Sequence, residues 1–187
     1  MDRIILASQS PRRKQLLEWA CIDFEVIVSE AEEDFPKDLP VAEVPVWIAR
    51  NKALSVQSKT KTNRIILAAD TIVVLDDLII GKPNDKAEAF KILSGLSGKK
   101  HLVVSGVILR QGMKEIAFVD QTEVWFHELS ETQIEYYIDN FKPYDKAGAY
   151  AIQEWIGVVG IRAIQGDFYN VMGLPISRVI QELNNWH

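Results

Sequence analysis

The chain has 187 residues, 48% of them hydrophobic, and a net charge of -5, which suits one domain with a sizeable core and excludes a broad basic footprint for a nucleic-acid polymer. A single cysteine, Cys21, excludes an internal disulfide framework and fits a reducing compartment. The N-terminal segment lacks the apolar stretch of a secretory signal, and no apolar run reaches the roughly 18 residues of a membrane span, so a cytoplasmic protein without membrane contact is expected.

Strand-like and helix-like segments alternate, which predicts an α/β or α+β fold in one domain covering 1–187, with two lobes around a cleft. Ile4-Ile5-Leu6-Ala7 reads as a short buried strand. Ser10 then reads as an N-cap and Pro11 as a first helical residue. A helix to about Ala20 places Leu16, Leu17 and Ala20 inward, and Cys21 reads as a small core residue. Phe24–Val28 is the next strand, followed by the acidic stretch from Glu30 to Asp34.

A long helix is expected over about 43–58, with Ile48 and Lys52 on one face. Ile65–Ala69 is a continuous apolar run, as in a central strand covered on both sides. It meets Asp70-Thr71 and resumes as Ile72–Leu75. Asp76-Asp77 reads as a turn before Leu78–Ile80, and Gly81-Lys82-Pro83 breaks that strand. Asp85 and Glu88 resemble a capping box for a helix with Ala89, Phe90, Leu93 and Leu96 inward. A hairpin around Gly112 joins Leu102–Leu109 to Glu115–Phe126. Ser130 and Gln133 form another capping box. Gly157–Ile164 reads as a strand pair or a loop and strand, and a last helix starts near Pro175.

Five segments could carry chemistry. At Ser8–Arg13 a strand ends, a serine-rich turn follows and a helix opens. Free amides at a helix N-terminus bind anions, and two arginines there make sense if an anion is the usual occupant. The same residues also fit an ordinary capped helix with solvated arginines. Asp70 closes a buried apolar run, where a carboxylate is costly unless paired or bound to metal, and ligands of α/β sheets gather at carboxyl ends of strands. Lys52 and Lys82 could meet phosphate, although most lysines are simply solvated. Glu33 could help hold a divalent cation, against an exposed acidic loop. Gln153 could read a base edge, against a solvated glutamine at a strand end. His101, His127 and His187 are dispersed, without metal-ligand spacing.

Taken in order, several segments resemble the Maf family of nucleotide pyrophosphatases. They are Leu6–Arg13, Glu32-Glu33, Ala49–Ala53, Ala69–Val73, Gly81-Lys82-Pro83, Leu96-Ser97-Gly98, Asp145–Gln153 and Gly166–Pro175, and together they span nearly the whole chain. The resemblance implies an elongated, twisted mixed β-sheet flanked by helices, of the Maf/ITPase-like kind, with a deep cleft. It implies hydrolysis of a nucleoside triphosphate to the monophosphate and pyrophosphate, a divalent cation (Mg2+ or Mn2+), and a homodimer. The family is credited with removing non-standard nucleotides and is linked to arrest of septum formation.

The resemblance also assigns roles. Ser8, Ser10, Arg13, Lys52 and Lys82 bind phosphate. Asp70 is the general base and, with Glu33, a metal ligand. Arg12, Thr71 and Gln153 select the base. The branch acting on dTTP and UTP carries these three, whereas a sister branch acting on 7-methyl-GTP has an aromatic residue, a glutamine and a glutamate. A glutamine amide can both donate to and accept from a pyrimidine edge. Two other readings are a purine house-cleaning pyrophosphatase for ITP or XTP and a non-catalytic nucleotide-binding regulator of septum formation. Thr71 and Gln153 count against the first, Asp70 and Lys82 against the second.

Overall fold

The computed structural model describes residues 3–186. In chain order the elements are β1 (Ile4–Leu6), α1 (Pro11–Trp19), β2 (Phe24–Val26), α2 (Val44–Thr60), β3 (Ile66–Leu75), β4 (Leu78–Ile80), α3 (Lys86–Leu96), β5 (Lys100–Gln111), β6 (Lys114–Phe126), α4 (Glu131–Phe141), α5 (Trp155–Gly160), β7 (Ile161–Gln165), α6 (Phe168–Met172) and α7 (Ile176–Asn184). The strands form one seven-stranded mixed sheet in the order β2-β1-β3-β5-β6-β7, with β4 paired to β3. An α/β fold with a mixed sheet is therefore what the alternating segments produce.

The chain divides into two compact units. The first comprises the chain up to Thr71, Ser105–Asp120, and the segment from Gly173 onward; the second comprises Ile72–Val104 and Gln121–Met172. In the first unit β1 lies parallel to both β2 and β3, with Ile5 opposite Glu25 and Ile66. Ile5, Ala7, Ile66, Ala68 and Ile108 pack against Ala49, Ala53 and Val56 of α2. Ala49 and Ala53 on the inward face of α2 leave room for the helix to lie close to the sheet. Gly106 completes that approach: a Cβ there would lie 2.2 Å from the Val46 backbone nitrogen and 2.6 Å from the Pro45 carbonyl oxygen. Lys52 sits on this same buried face.

In the second unit Asp76 and Asp77, both left-handed (φ 50° and 63°), form the tight turn from β3 into β4. Helix α3 packs on α4. The Ser130–Gln133 capping box is present in full. At α3, Asp85 caps the Glu88 amide, while the Glu88 carboxylate accepts from Asn84.

Two expectations are corrected. Cys21 is exposed rather than a core residue. It occupies the left-handed position just past α1 (φ 54°), with its amide donating to Glu18 and the next amide to Leu17. This is the usual glycine site of a helix C-terminus, and it turns the side chain outward. Trp155–Gly160 is a helix preceding β7, not part of a strand pair. Ile156 and Gly160, four apart, are its buried residues, a helical period hidden among valines and glycines.

His101 is buried in the second unit. Its Nε2 lies 2.8 Å from the Tyr150 hydroxyl, and its ring meets Phe126 and Tyr150 edge to face. Burial lowers its pKa from 6.5 to about 4. A depressed histidine pKa contributes stability that is whole above pH 6.5 and is lost as pH falls toward 4, at most about 3 kcal/mol. Urea midpoints should therefore fall over that window, and His101→Gln should flatten the fall. Parallel pH profiles for the two proteins would exclude the imidazole as its source.

Candidate active site

After β1 the chain reaches α1 through Ala7–Ser10. Ser10 holds the N-cap position and Pro11 opens the helix, but the Ser10 side chain makes no cap bond. Ser8 does the local work instead. Its Oγ accepts from the Ser10 amide at 3.1 Å and from Arg13 Nη1 at 3.2 Å. The first turn of α1 carries no acidic residue.

Arg13 is only 8% exposed, which removes the reading of a solvated arginine. Its Nε donates to the Gly173 carbonyl at 2.8 Å and its Nη2 to Thr71 Oγ1 at 3.2 Å. Gly173, whose carbonyl accepts this bond, has φ 119°, a conformation that side chains rarely adopt. A guanidinium has five N–H donors. Three are committed here, leaving one on each terminal nitrogen, the pair suited to two oxygens of one anion. Burial lowers the pKa of Arg13, while the Asp70 and Glu33 charges oppose that shift and Arg12 adds to it.

The second feature is a charge bridge with a buried Lys52–Asp70 pair at its centre. Lys52 Nζ lies 2.7 Å from Asp70 Oδ1 and 2.6 Å from Glu33 Oε1. The side chains of Lys52 and Asp70 are 11% and 12% exposed, and that of Glu33 is 51% exposed. β3 runs unbroken through Asp70-Thr71, so Asp70 does not cap a turn. Successive strand residues point to opposite faces. Asp70 faces Lys52 of α2, whereas Thr71 faces Arg13 of α1. Six predicted residues, Ser8, Arg13, Glu33, Lys52, Asp70 and Thr71, thus form two linked clusters within the first unit.

Arg12 and Ser10 are half-buried beside them in the chain. Lys82 and Gln153 belong to the second unit, and both are exposed. Lys82 follows β4, where the Gly81 carbonyl accepts from the Gly148 amide at 3.1 Å. Gln153 lies in a turn rather than at a strand end. That turn is pinned at its neighbours: the Tyr137 hydroxyl donates to Glu154 and accepts from the Ala151 amide.

A family model described as Maf-like protein matches residues 3–186. The chain belongs to the Maf family. It is 53% identical over 180 residues to a dTTP/UTP pyrophosphatase of Cytophaga hutchinsonii, covering 96% of this chain and 82% of that protein. It is 44% identical to a dTTP/UTP pyrophosphatase of Parabacteroides distasonis, covering 98% and 96% of the two chains. A dTTP/UTP pyrophosphatase of Bacillus cytotoxicus is 47% identical over 100% of this chain and 96% of its own.

The donor set of this Maf chain fits a divalent cation. Among the described residues no group of three His, Cys, Asp or Glu side chains could hold a metal. Yet Asp70 and Glu33 converge on one cationic group, the Lys52 ammonium. Magnesium needs only one or two carboxylates when substrate phosphates supply further oxygens. Sequence reasoning missed Ser105, whose Oγ lies 2.8 Å from Thr71 Oγ1, and the Gly173 carbonyl. A serine in the apolar run from Val103 to Leu109 was the available signal. Among the described residues no helix is long and apolar enough to cross a membrane.

Proposed function

We propose that this Maf chain hydrolyses dTTP and UTP, and modified pyrimidine analogues, to the monophosphate and pyrophosphate. The observation that carries the reading is the buried Lys52–Asp70 pair, joined by the exposed Glu33, together with the partly committed Arg13 guanidinium. Three relatives bearing the dTTP/UTP pyrophosphatase name over nearly the full chain support the substrate class.

In the proposed reaction, water attacks the α-phosphorus, and the bond from that phosphorus to the bridging oxygen of the leaving pyrophosphate breaks. Asp70 takes the proton of the water. The two remaining N–H groups of Arg13, the hydroxyls of Ser8 and Ser10, the amides after Ser8, Lys52 and Lys82 hold the phosphate charge as it shifts. Ser8 suits this role, because its two accepting positions are filled and its own proton is left to give. Asp70 and Glu33 would hold Mg2+ or Mn2+, which when bound supplies neutralising charge at the phosphates.

Arg12 and Gln153 are assigned to the pyrimidine base. Thr71 is third in that set, and its hydroxyl also meets Arg13, Ser105 and the Gly173 carbonyl. A homodimer and a cytoplasmic, house-cleaning role with a link to division arrest belong to the same reading; sedimentation tests the first.

Incubation with dTTP and magnesium should release pyrophosphate and no orthophosphate. Orthophosphate release, or no turnover, would overturn the proposal. Gln153→Glu should weaken dTTP and UTP relative to GTP, because a carboxylate cannot donate to a pyrimidine carbonyl. An unchanged preference ratio would remove Gln153 from base selection.

A further inference from the structure

We propose that Tyr137, Glu154 and Lys146 are positioning residues for Gln153, holding its turn in the form that meets the pyrimidine base. The proposal rests on the reading of Gln153 as a base selector.

Gln153 is exposed, in a turn that closes where the Glu154 amide donates to the Ala151 carbonyl at 3.1 Å. An exposed side chain in a turn has little packing of its own to aim it, so its direction comes from the backbone on either side. Tyr137 of α4 fixes that backbone. Its hydroxyl accepts from the Ala151 amide at 3.1 Å and donates to the Glu154 carboxylate. One phenol therefore ties the residue two before Gln153 to the residue after it. Tyr137 is fully buried, and its ring stacks on Phe141 with centroids 5.1 Å apart, so the hydroxyl is anchored in the core of the second unit.

Glu154 holds the N-cap position of α5, yet its side chain makes no cap bond. Its carboxylate turns instead to Tyr137 and to Lys146 Nζ, 3.5 Å away. Lys146 is buried, where an ammonium is costly unless carboxylates surround it, and Glu154 shares that task with Asp145 at 2.8 Å. Gly157 braces the turn from the other side. A Cβ there would lie 1.7 Å from the Ile152 carbonyl oxygen, so α5 can begin directly against the residue before Gln153. Ala151, Ile152 and Glu154 are thus each held, and Gln153 is the member of the turn left to project. An amide presented this way needs less ordering when a base arrives.

The test is steady-state kinetics on dTTP with magnesium, with inorganic tripolyphosphate as a competitor that carries phosphates and no base. Tyr137→Phe keeps the ring and removes the hydroxyl. It should raise KM for dTTP roughly 5- to 20-fold with kcat near parental, because a base contact acts equally in the ground and transition states. The tripolyphosphate inhibition constant should not move. Glu154→Ala should behave alike. Glu154→Gln, which still accepts from Tyr137 and leaves Asp145 beside Lys146, should restore most of the loss. Lys146→Met should raise KM roughly 3- to 10-fold. In a Gln153→Ala background none of these changes should raise KM further, because the amide they aim is gone. That cycle reads the same question without the competitor. A residue that merely stabilised the fold would weaken dTTP and tripolyphosphate together, in either background. Thermal unfolding checks that each variant is folded, and Glu154→Ala carries the test should Tyr137→Phe fail to fold. A loss shared by tripolyphosphate, or one that persists without the Gln153 amide, would overturn the proposal. A Gln153→Ala protein with parental KM for dTTP would instead overturn the base-reading role of Gln153 beneath it.

Discussion

Replacing Asp70 by asparagine should lower kcat roughly 100-fold or more. The amide oxygen can still accept from Lys52 Nζ, now 2.7 Å from Oδ1, so the packing of α2 on β3 has a route to survive. What the variant loses is the negative charge and the ability to take a proton from water. The effect should therefore fall on kcat and leave binding of the triphosphate less affected, a split that single-turnover measurements resolve. A folded Asp70→Asn protein with parental turnover would take the general-base role away from this residue.

Removing the Lys52 charge should have two opposite effects. Lys52→Met keeps the apolar stem on the buried face of α2 and discards the ammonium. Turnover should fall, because a phosphate-binding cation is gone. Divalent-cation affinity in the absence of nucleotide should rise, roughly 10-fold or more, because the ammonium and a metal ion draw on the same two carboxylates. Free Mn2+ measured by electron paramagnetic resonance reads this directly. The variant also strands a buried Asp70 carboxylate, which is destabilising. Mn2+ should thus raise Tm more for Lys52→Met than for the parent. Equal Mn2+ affinity in the two proteins would exclude Asp70 and Glu33 as the metal site.

The local elements were largely legible because each carries its own physical signal. Pro11 after Ser10 opens α1, the apolar run before Asp70 builds β3, and the Ser130–Gln133 pair caps α4. Where two signals compete over a few residues, reading the chain failed. Cys21 ends a helix at a position usually held by glycine, and nothing in its side chain announces a left-handed backbone. Around Gly157 a short run of apolar residues satisfies helix and strand alike, and only burial of Ile156 with Gly160 decides for the helix.

The site divides in the same way. Asp70 could be singled out along the chain, because a carboxylate that follows a buried apolar run demands a partner whatever the fold. The identity of that partner could not, since Lys52 and Glu33 lie 18 and 19 residues away along the chain from Asp70 and from Lys52 respectively. Arg13 could be placed at a helix start but left open as solvated or buried. Burying it takes Gly173, 160 residues onward, and Thr71 from β3. Ser105 stood out only as a polar residue in an apolar run, because a serine in a strand has no role until the hydroxyl opposite it is known. Periodicity and turn chemistry act within a few residues and so survive in the one-dimensional chain. Charge compensation and hydrogen-bond saturation are sums over neighbours in space, and only the folded chain brings those neighbours together.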